Sequence, residues 1–312
     1  MAKTILALGS LMPKEMEALE SHFSVIRLWK EKDPEAVLQK HKNEITGIVS
    51  TWETPVSARL ISALPNLEII SQCAVGIDNI DLKAAAARGV AVTNTPGVLT
   101  DDTADIALAL ILATARRIVE GDMYVRVGKW LNGDMPLGTS LSGKTAGIIG
   151  LGRIGKAIAR RCEAFNMKVI YNGPHKKDVA YEYYKDLKIM AAASDFLVVA
   201  ASGGPATENL VDYKILDSLG PKGVLINIAR GSVVKEDDLL VALSNKAIGG
   251  AGLDVHAREP HVPEALFPMD NVVLLPHVGS ATHETRSRMG QLVVDNLLAH
   301  FSGQPLKTPV AA

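Results

Sequence analysis

A glycine-rich run near the middle of the chain constrains the fold more than any other feature of the sequence. The run Gly150-Leu151-Gly152-Arg153-Ile154-Gly155 follows an apolar stretch, residues 145–149, and precedes a helix-like run, residues 156–161. A strand, a G-x-G-x-x-G turn and a helix in this order are the fingerprint of a dinucleotide-binding βαβ unit. The glycines permit the tight turn, the approach of the pyrophosphate and close packing of helix on strand. We therefore predict that residues 150–155 bind a dinucleotide, the alternative being a βα turn without a ligand.

Strand-like and helix-like runs alternate along almost the whole chain. This alternation predicts parallel sheets with helices on both faces. Long helices are predicted over residues 101–127 and 284–301. The predicted strands cover residues 4–8, 24–28, 47–50, 68–72 and 90–93, then 146–149, 168–171, 196–200, 223–228, 249–254 and 272–274.

The predicted fold class is therefore α/β, with two doubly wound parallel-sheet domains. The six strands that begin at the glycine run predict a Rossmann cofactor domain over residues 98–284. We predict that this domain is inserted into a split, flavodoxin-like substrate domain formed by residues 1–97 and 285–312. In open sheets of this kind ligands bind outside the carboxyl ends of the strands.

Charge and cysteine content exclude several other classes. The chain has 33 Lys and Arg against 34 Asp and Glu, a formal net charge of −1, which gives no basic footprint for nucleic acid or an anionic membrane. Cys73 and Cys162 are its two cysteines, too few for a disulfide framework or a zinc site. We predict a cytoplasmic protein without a metal, a nucleic-acid partner or a membrane anchor.

The end of the strand after the glycine helix indicates whether the cofactor is NAD or NADP. NAD sites commonly end this strand with an acid about 20 residues after the glycines, which binds the ribose hydroxyls. Here the strand ends at Asn172, and no carboxylate follows directly. Lys176 and Lys177, with His175, would attract a 2′-phosphate, unless they form a solvated loop that binds nothing. We predict that Asn172, Gly173 and these three residues bind NADP(H) as the preferred cofactor, and NAD(H) stays open.

Arg230, Glu259 and His277 each follow one of the last three predicted strands. Each alone is more typical of an ordinary loop than of a site. Together, downstream of a dinucleotide fingerprint, they supply what reduction of a 2-oxo acid needs. A guanidinium holds the carboxylate and carbonyl of the substrate with two donors, a histidine moves a proton near neutral pH, and a carboxylate orients the imidazole.

These residues and the segments around them resemble the D-2-hydroxyacid dehydrogenase family over nearly the whole chain. The resemblance implies that Arg230 binds substrate, that His277 is the acid/base and that Glu259 orients it. It also implies a homodimer formed through the cofactor domain. The matching segments are residues 75–81, 94–97, 150–155, 227–231, 251–255, 259–260 and 276–282.

Further site residues follow from the same resemblance. Backbone N–H groups of Val75 and Gly76 would bind the substrate carboxylate, and Ile228 and Asp254 would face the nicotinamide. Leu151, Arg153 and Ile154 would line the pyrophosphate with the glycines.

Within the family, residues 128–131 and 176–177 resemble the glyoxylate/hydroxypyruvate reductase branch. Trp130 would then close a neighbouring subunit's pocket, or simply pack in the dimer interface, and Trp52 would line the substrate cleft, or simply be partly buried. One departure is Pro174, where related chains often carry arginine after the glycine, which leaves dual use of NADP and NAD open.

The sequence therefore predicts an NADPH-preferring reductase of glyoxylate, hydroxypyruvate or similar small 2-oxo acids. Two alternatives remain open at this point. One is an NAD-dependent D-2-hydroxyacid dehydrogenase with another substrate. The other is a dinucleotide-sensing scaffold of the corepressor kind, which keeps the fold without the reaction.

Overall fold

The computed structural model describes residues 3–310, and these fold into two compact units. The first unit combines the residues up to Leu99 with those from Ala281 onward, and the second unit is Thr100–Ser280. The predicted domain boundaries, 97/98 and 284/285, lie two and four residues from these divisions. The assignment of substrate and cofactor to the two units stays a prediction.

The first unit contains a parallel five-stranded sheet, and its elements are numbered in chain order along with those of the second unit. The strand order is β2-β1-β3-β4-β5, the flavodoxin-like doubly wound order, so this part of the predicted fold class is confirmed. The strands are β1 (Thr4–Ala7), β2 (Ser24–Arg27), β3 (Ile45–Thr51), β4 (Ile69–Cys73) and β5 (Ala91–Thr93). Fully buried aliphatic side chains from β1, β3 and β4 fill its core.

Within residues 3–310, five helices accompany this sheet, and four of them begin at a side chain that accepts a hydrogen bond from the first turn. Thr282 is such a cap, since its Oγ1 accepts the N–H of Thr285 and starts the last helix one residue before the predicted position. Asp33, Ser57 and Asp81 cap three others. The helices are α1 (Pro13–His22), α2 (Pro34–His41), α3 (Ala58–Ala63), α4 (Leu82–Ala87) and α11 (His283–Phe301).

The second unit contains a parallel seven-stranded sheet of order β12-β11-β10-β9-β6-β7-β8. Counted from β6, this is the Rossmann order 3-2-1-4-5-6 with a seventh strand at the far edge, which confirms the Rossmann prediction. The strands are β6 (Thr145–Ile149), β7 (Lys168–Asn172), β8 (Glu182–Tyr183), β9 (Phe196–Val199), β10 (Val224–Asn227), β11 (Gly250–Leu253) and β12 (Val272–Leu274). The predicted count of six strands is wrong because β8 has two residues, too few to produce a periodic pattern.

The single helix predicted over residues 101–127 is also wrong. It is split into α5 (Thr100–Ala115) and α6 (Ile118–Arg126) by Arg117, whose φ of +53° is left-handed. The returning chain explains the break, because the Thr139 N–H donates to the carbonyl of Ala115 at 2.7 Å and closes the helix end. The other helices of this unit are α7 (Arg153–Ala164), α8 (Leu187–Ala192), α9 (Tyr213–Leu219) and α10 (Glu236–Ser244).

Parallel pairing places the carboxyl ends of all seven strands of the second unit at one edge of the sheet. The glycine run follows β6 there, and Arg230, Glu259 and His277 follow β10, β11 and β12. No helix within residues 3–310 has the length and apolar character to cross a membrane. In the same described part of the chain, no cluster of three or more His, Cys, Asp and Glu could hold a metal ion.

Candidate active site

The glycine turn after β6 has a separate physical requirement at each glycine. Gly150 has a φ of +91°, and a Cβ there would lie 2.7 Å from Cα of Ala201. A Cβ on Gly155 would lie 2.2 Å from the carbonyl oxygen of Gly150, so only glycine lets α7 pack this closely on the turn. Around a Cβ built on Gly152, by contrast, no atom of residues 3–310 lies within 4 Å, apart from its chain neighbours and the backbone of its own helix.

The space beside Gly152 fits a dinucleotide. Gly152 is the N-cap of α7, and the first N–H groups of a helix have no partner within the helix. Such groups bind a pyrophosphate at the positive end of the helix dipole. The residues that would hold the group are those of the predicted run, Gly150 to Gly155.

We expect Gly152→Ala to fold normally and to lose cofactor affinity. The new methyl group meets no protein atom, yet it occupies the space where the pyrophosphate would approach. Binding of NADPH, measured by calorimetry, should weaken by about a hundredfold, or about 2.8 kcal/mol.

Gly155→Ala is the matched contrast, because its methyl group collides with backbone inside the protein. It should lower the unfolding temperature, whereas Gly152→Ala should not. Unchanged NADPH affinity in a folded Gly152→Ala variant would contradict this position for the pyrophosphate.

The loop after β7 is shaped by Asn172. Its side-chain Nδ2 donates to the carbonyls of Tyr184, at 2.8 Å, and Lys185, at 3.2 Å. These contacts connect the end of β7 to the chain beyond β8. Asn172→Asp, the obvious exchange toward an NAD-type strand end, would place a carboxylate against two carbonyl oxygens and would disturb the loop as well as the cofactor.

His277 and Glu259 form the central contact of the site. His277 Nδ1 lies 2.8 Å from Glu259 Oε2, and the two side chains are 16% and 20% exposed. The second carboxylate oxygen, Oε1, accepts the N–H of His256 at 2.9 Å. Because an ionised carboxylate only accepts hydrogen bonds, the hydrogen lies on His277 Nδ1, which leaves Nε2 as the nitrogen for proton exchange.

The electrostatic surroundings keep Glu259 ionised at neutral pH. Burial raises the pKa of its carboxyl, but the hydrogen bonds from His277 and from the His256 N–H act against burial and hold the pKa below the ordinary value of 4.5. The ionised form therefore stabilises this contact above pH 4.5, and that stabilisation is lost as the pH falls through the lowered pKa.

Asp254 holds the backbone that carries His277. Its carboxylate accepts the N–H groups of Val278, at 2.7 Å, and Gly279, at 2.8 Å, and its carbonyl accepts the N–H of His277 at 2.8 Å. His277 itself has a left-handed φ of +55°, which a histidine keeps only where its surroundings fix it. Burial raises the pKa of Asp254 above its ordinary value of 3.8, although these N–H donors and His277 act in the opposite direction.

Arg230 is held by the buried side chain of Asn227. Asn227 Nδ2 donates to the Arg230 carbonyl at 2.9 Å, and its Oδ1 accepts the Ala229 N–H at 3.1 Å. Arg230 Nη1 donates to the Ala229 carbonyl at 2.8 Å. The turn after β10 is therefore fixed, with the partly exposed guanidinium following the carboxyl end of the strand.

Gly231 and His256, which were not predicted as site residues, connect the loops that follow β10, β11 and β12. A Cβ on Gly231 would lie 2.0 Å from the carbonyl carbon of His256, so these two backbones touch. His256, 8% exposed, also has Nε2 3.1 Å from the carbonyl of Leu275, two residues before His277. No signal in a single sequence marked these contacts, since they depend on backbone proximity between separate loops.

The structure brings the glycine run, residues 172–177, Ile228, Arg230, Asp254, Glu259 and His277 to one edge of one sheet. Ile228 is 6% exposed and lies directly after β10. Trp130 also belongs to this unit and is 65% exposed.

Trp52, Val75 and Gly76 belong to the first unit, where a buried polar network holds their loops. Gln72 Nε2 donates to Asn79 Oδ1 at 2.9 Å and to the Gly76 carbonyl at 3.3 Å. Asn79 Nδ2 donates to the carbonyls of Thr51 and Thr54, both at 2.9 Å, on either side of Trp52. The loops after β3 and β4 are therefore joined to each other within this unit.

Residues 108–279 match the model of a known family, the D-isomer specific 2-hydroxyacid dehydrogenase, NAD binding domain. A glyoxylate/hydroxypyruvate reductase A of Arabidopsis thaliana is 53% identical over 293 residues, which cover 94% of each chain. A hydroxyphenylpyruvate reductase of Plectranthus scutellarioides is 50% identical over 310 residues, covering 97% of this chain and 99% of the relative.

Among solved structures, an NADPH-dependent glyoxylate/hydroxypyruvate reductase from Sinorhizobium meliloti, in complex with NADP and malonate, is similar throughout. It is 42% identical, and the superposition covers 100% of this chain and 97% of that chain with a TM-score of 0.92. The similarity therefore extends over both units of the chain.

Proposed function

Because the chain belongs to the D-isomer specific 2-hydroxyacid dehydrogenase family, we propose that it is an NADPH-preferring reductase of small 2-oxo acids, glyoxylate and hydroxypyruvate among them. The observation that carries this proposal is the 2.8 Å contact of His277 with Glu259 at the same sheet edge as the open glycine turn. The predicted family, its reductase branch and the dinucleotide fold are confirmed by the relatives and by the strand order.

In this proposal His277 supplies the proton that the substrate carbonyl oxygen gains. Glu259 holds Nδ1, so the proton leaves from Nε2 when the oxygen becomes an alcohol and returns there in the reverse direction. Asp254 acts one step further away, since it fixes the backbone on which the imidazole is placed. The contacts behind the roles of Glu259 and Asp254 all lie within the second unit.

Arg230 is the proposed substrate anchor. A guanidinium offers paired donors that match a carboxylate and an adjacent carbonyl oxygen. Polarising the carbonyl makes its carbon a better hydride acceptor, and the same donors stabilise the negative charge that develops on the oxygen. When bound, NADPH supplies the hydride. Backbone N–H groups of Val75 and Gly76, and the side chains of Trp52 and Trp130, remain proposed substrate contacts.

NADPH preference is supported by the loop after β7 and by relatives. Asn172 ends β7 where an NAD-type site carries an acid, and His175, Lys176 and Lys177 are exposed. The Sinorhizobium meliloti relative is named as NADPH-dependent. NAD(H) use at lower efficiency is compatible with Pro174 in the place where related chains often carry arginine.

We propose further that two copies of the chain associate through the Rossmann unit. Apolar side chains of α6 and the segment after it are exposed to a degree that is unusual outside an interface. They define the apolar α6 surface, whose members are 50% or more exposed: Ile118, Val119, Met123, Val125, Val127, Trp130, Leu131 and Leu137. A second copy is the proposed partner because the family resemblance implies this homodimer.

We expect Met123→Glu to convert the dimer into a monomer, since it would bury a charge in an apolar interface. Sedimentation velocity measures this directly. Val241→Glu is the control, because Val241 is 48% exposed on a different helix, α10, and does not belong to the apolar α6 surface, so it should leave the dimer intact. A monomeric wild type, or a dimeric Met123→Glu variant, would contradict the proposed interface.

A cytoplasmic location is part of the proposal. Cys73 and Cys162 are free, buried thiols, and burial raises the pKa of each to about 12. Such thiols neither pair nor react readily, which suits a reducing compartment.

A panel of 2-oxo acids with NADPH and with NADH tests the proposed function. Glyoxylate, hydroxypyruvate and hydroxyphenylpyruvate belong in it, the last because a 50% identical relative is named for it. The highest kcat/KM should come from a small 2-oxo acid with NADPH. Turnover with NADH alone would favour an NAD-dependent dehydrogenase, and cofactor binding without any turnover would favour a dinucleotide-sensing scaffold.

A further inference from the structure

The loop of residues 173–177, which connects β7 toward β8, is closed by two tyrosines on those neighbouring strands. The Lys177 N–H donates to the Tyr171 hydroxyl at 2.7 Å, and that hydroxyl lies 3.3 Å from the Lys177 carbonyl. At the other end of the loop the Tyr183 hydroxyl donates to the Gly173 carbonyl at 3.0 Å. Both ends of this short segment are therefore bound by side chains of the two strands that flank it.

The two tyrosines form one packed pair. Tyr171 is 0% exposed, in the hydrophobic core of the Rossmann unit, and its ring centre lies 5.3 Å from that of Tyr183. A hydroxyl at the end of a fully buried ring has a fixed position, because the ring cannot move without disturbing the core. The loop is thus held to the sheet rather than to another loop.

The residues held in this way carry the positive charge of the loop. His175, Lys176 and Lys177 follow each other, all exposed, with one exposed carboxylate, Asp178, directly after them. A phosphate group binds best where its donors already stand in place, since ordering a flexible loop costs binding free energy. A loop that is fixed at both ends and carries three consecutive basic side chains is therefore preorganised to bind the additional phosphate group of NADP(H).

We propose that Tyr171 and Tyr183 are positioning residues that hold the 173–177 loop in the shape that binds the 2′-phosphate of NADP(H), and so set the preference for NADP(H) over NAD(H). This inference rests on the proposed function. The two tyrosines do not touch the phosphate themselves and act through the backbone of Gly173 and Lys177. NAD(H) lacks the 2′-phosphate, so its binding depends less on the shape of the loop.

The test is the double variant Tyr171→Phe with Tyr183→Phe, which removes two hydroxyls and leaves both rings. The dissociation constants of NADP+ and NAD+ are measured by calorimetry without substrate. We expect NADP+ to bind about tenfold more weakly, about 1.4 kcal/mol, and NAD+ to change by less than about twofold. Hydrogen exchange at the Lys177 amide should accelerate in the same variant, because its acceptor is gone.

Tyr181→Phe is the matched control. The Tyr181 hydroxyl donates to Glu163 Oε2 of α7 at 2.9 Å and contacts neither Gly173 nor Lys177, so both dissociation constants should stay unchanged. The single variants Tyr171→Phe and Tyr183→Phe give the same comparison if the double variant unfolds.

Each outcome has a distinct meaning. If the ratio of the two dissociation constants stays unchanged, either because neither changes or because both rise equally, the positioning role is overturned and the proposed function stays intact. A wild-type chain that binds NADP+ no more tightly than NAD+ would overturn the NADPH preference itself. Selective loss of NADP+ affinity supports both.

Discussion

Replacing His277 with alanine is expected to lower kcat by about a thousandfold, within the range that general acid–base groups contribute. His277 Nε2 is the proposed proton donor, and with the side chain gone the carbonyl oxygen must take its proton from water. NADPH affinity should stay nearly unchanged, because the glycine turn follows a different strand of the sheet. Steady-state kinetics with hydroxypyruvate and calorimetry with NADPH measure the two quantities.

The backbone of His277 calls for a second variant. Its φ of +55° is unfavourable for alanine, whereas asparagine tolerates the left-handed region better than most residues. His277→Asn should therefore keep the unfolding temperature near that of the wild type and still lose activity as His277→Ala does. A kcat within about tenfold of the wild type in either folded variant would remove His277 from the proton-donor role.

Glu259→Gln separates orientation from proton transfer. Glutamine keeps the shape and an acceptor oxygen for His277 Nδ1, but it loses the negative charge and the second acceptor, which binds the His256 N–H. In the proposal Glu259 orients the imidazole of His277 and does not itself transfer the proton. The loss of kcat in Glu259→Gln, measured by the same kinetics, should therefore be smaller than in the histidine variants.

Arg230→Ala is expected to lower kcat/KM for 2-oxo acids by about a thousandfold, or about 4 kcal/mol, as is typical when one partner of a charge-assisted contact is removed. The substrate carboxylate would lose its paired donors and the carbonyl its polarising charge. NADPH affinity should not change. The measurement is kcat/KM for glyoxylate and hydroxypyruvate at saturating NADPH.

Arg230→Lys is the informative comparison. It keeps the charge and loses the planar pair of donors, so it should recover only part of the activity. Both substitutions remove the hydrogen bond from Arg230 Nη1 to the Ala229 carbonyl, but the two hydrogen bonds of Asn227 to the main chain of this turn remain. Full activity in the lysine variant would show that charge alone suffices, and near-normal kcat/KM in the alanine variant would exclude Arg230 as the anchor.

The convergence of the three proposed catalytic residues at one sheet edge was predictable from the sequence, because it follows from one topological rule. Strands in a doubly wound sheet end at the same edge, so residues that follow separate strands converge there even when they are far apart along the chain. Arg230, Glu259 and His277 each follow such a strand, and the His277–Glu259 contact is the one that their residue types indicate.

The supporting contacts were not predictable, since they depend on distances between loops. Asp254 was predicted as a cofactor contact, and its carboxylate is bound to the N–H groups of Val278 and Gly279. The close approach of Gly231 to His256 has no signature in residue type. The break of the helix at Arg117 was missed for the same reason, since the hydrogen bond that closes the helix end comes from Thr139. Strand β8 was missed because its two residues are too few to show a periodic pattern.

The most direct test of the account is identification of the product formed from hydroxypyruvate and NADPH. We expect D-glycerate to appear in a one-to-one ratio with NADP+. With His277→Asn, both products should form far more slowly than with the wild type. A chain that binds NADPH but forms no 2-hydroxy acid, or that consumes NADPH without forming one, would contradict the proposed function.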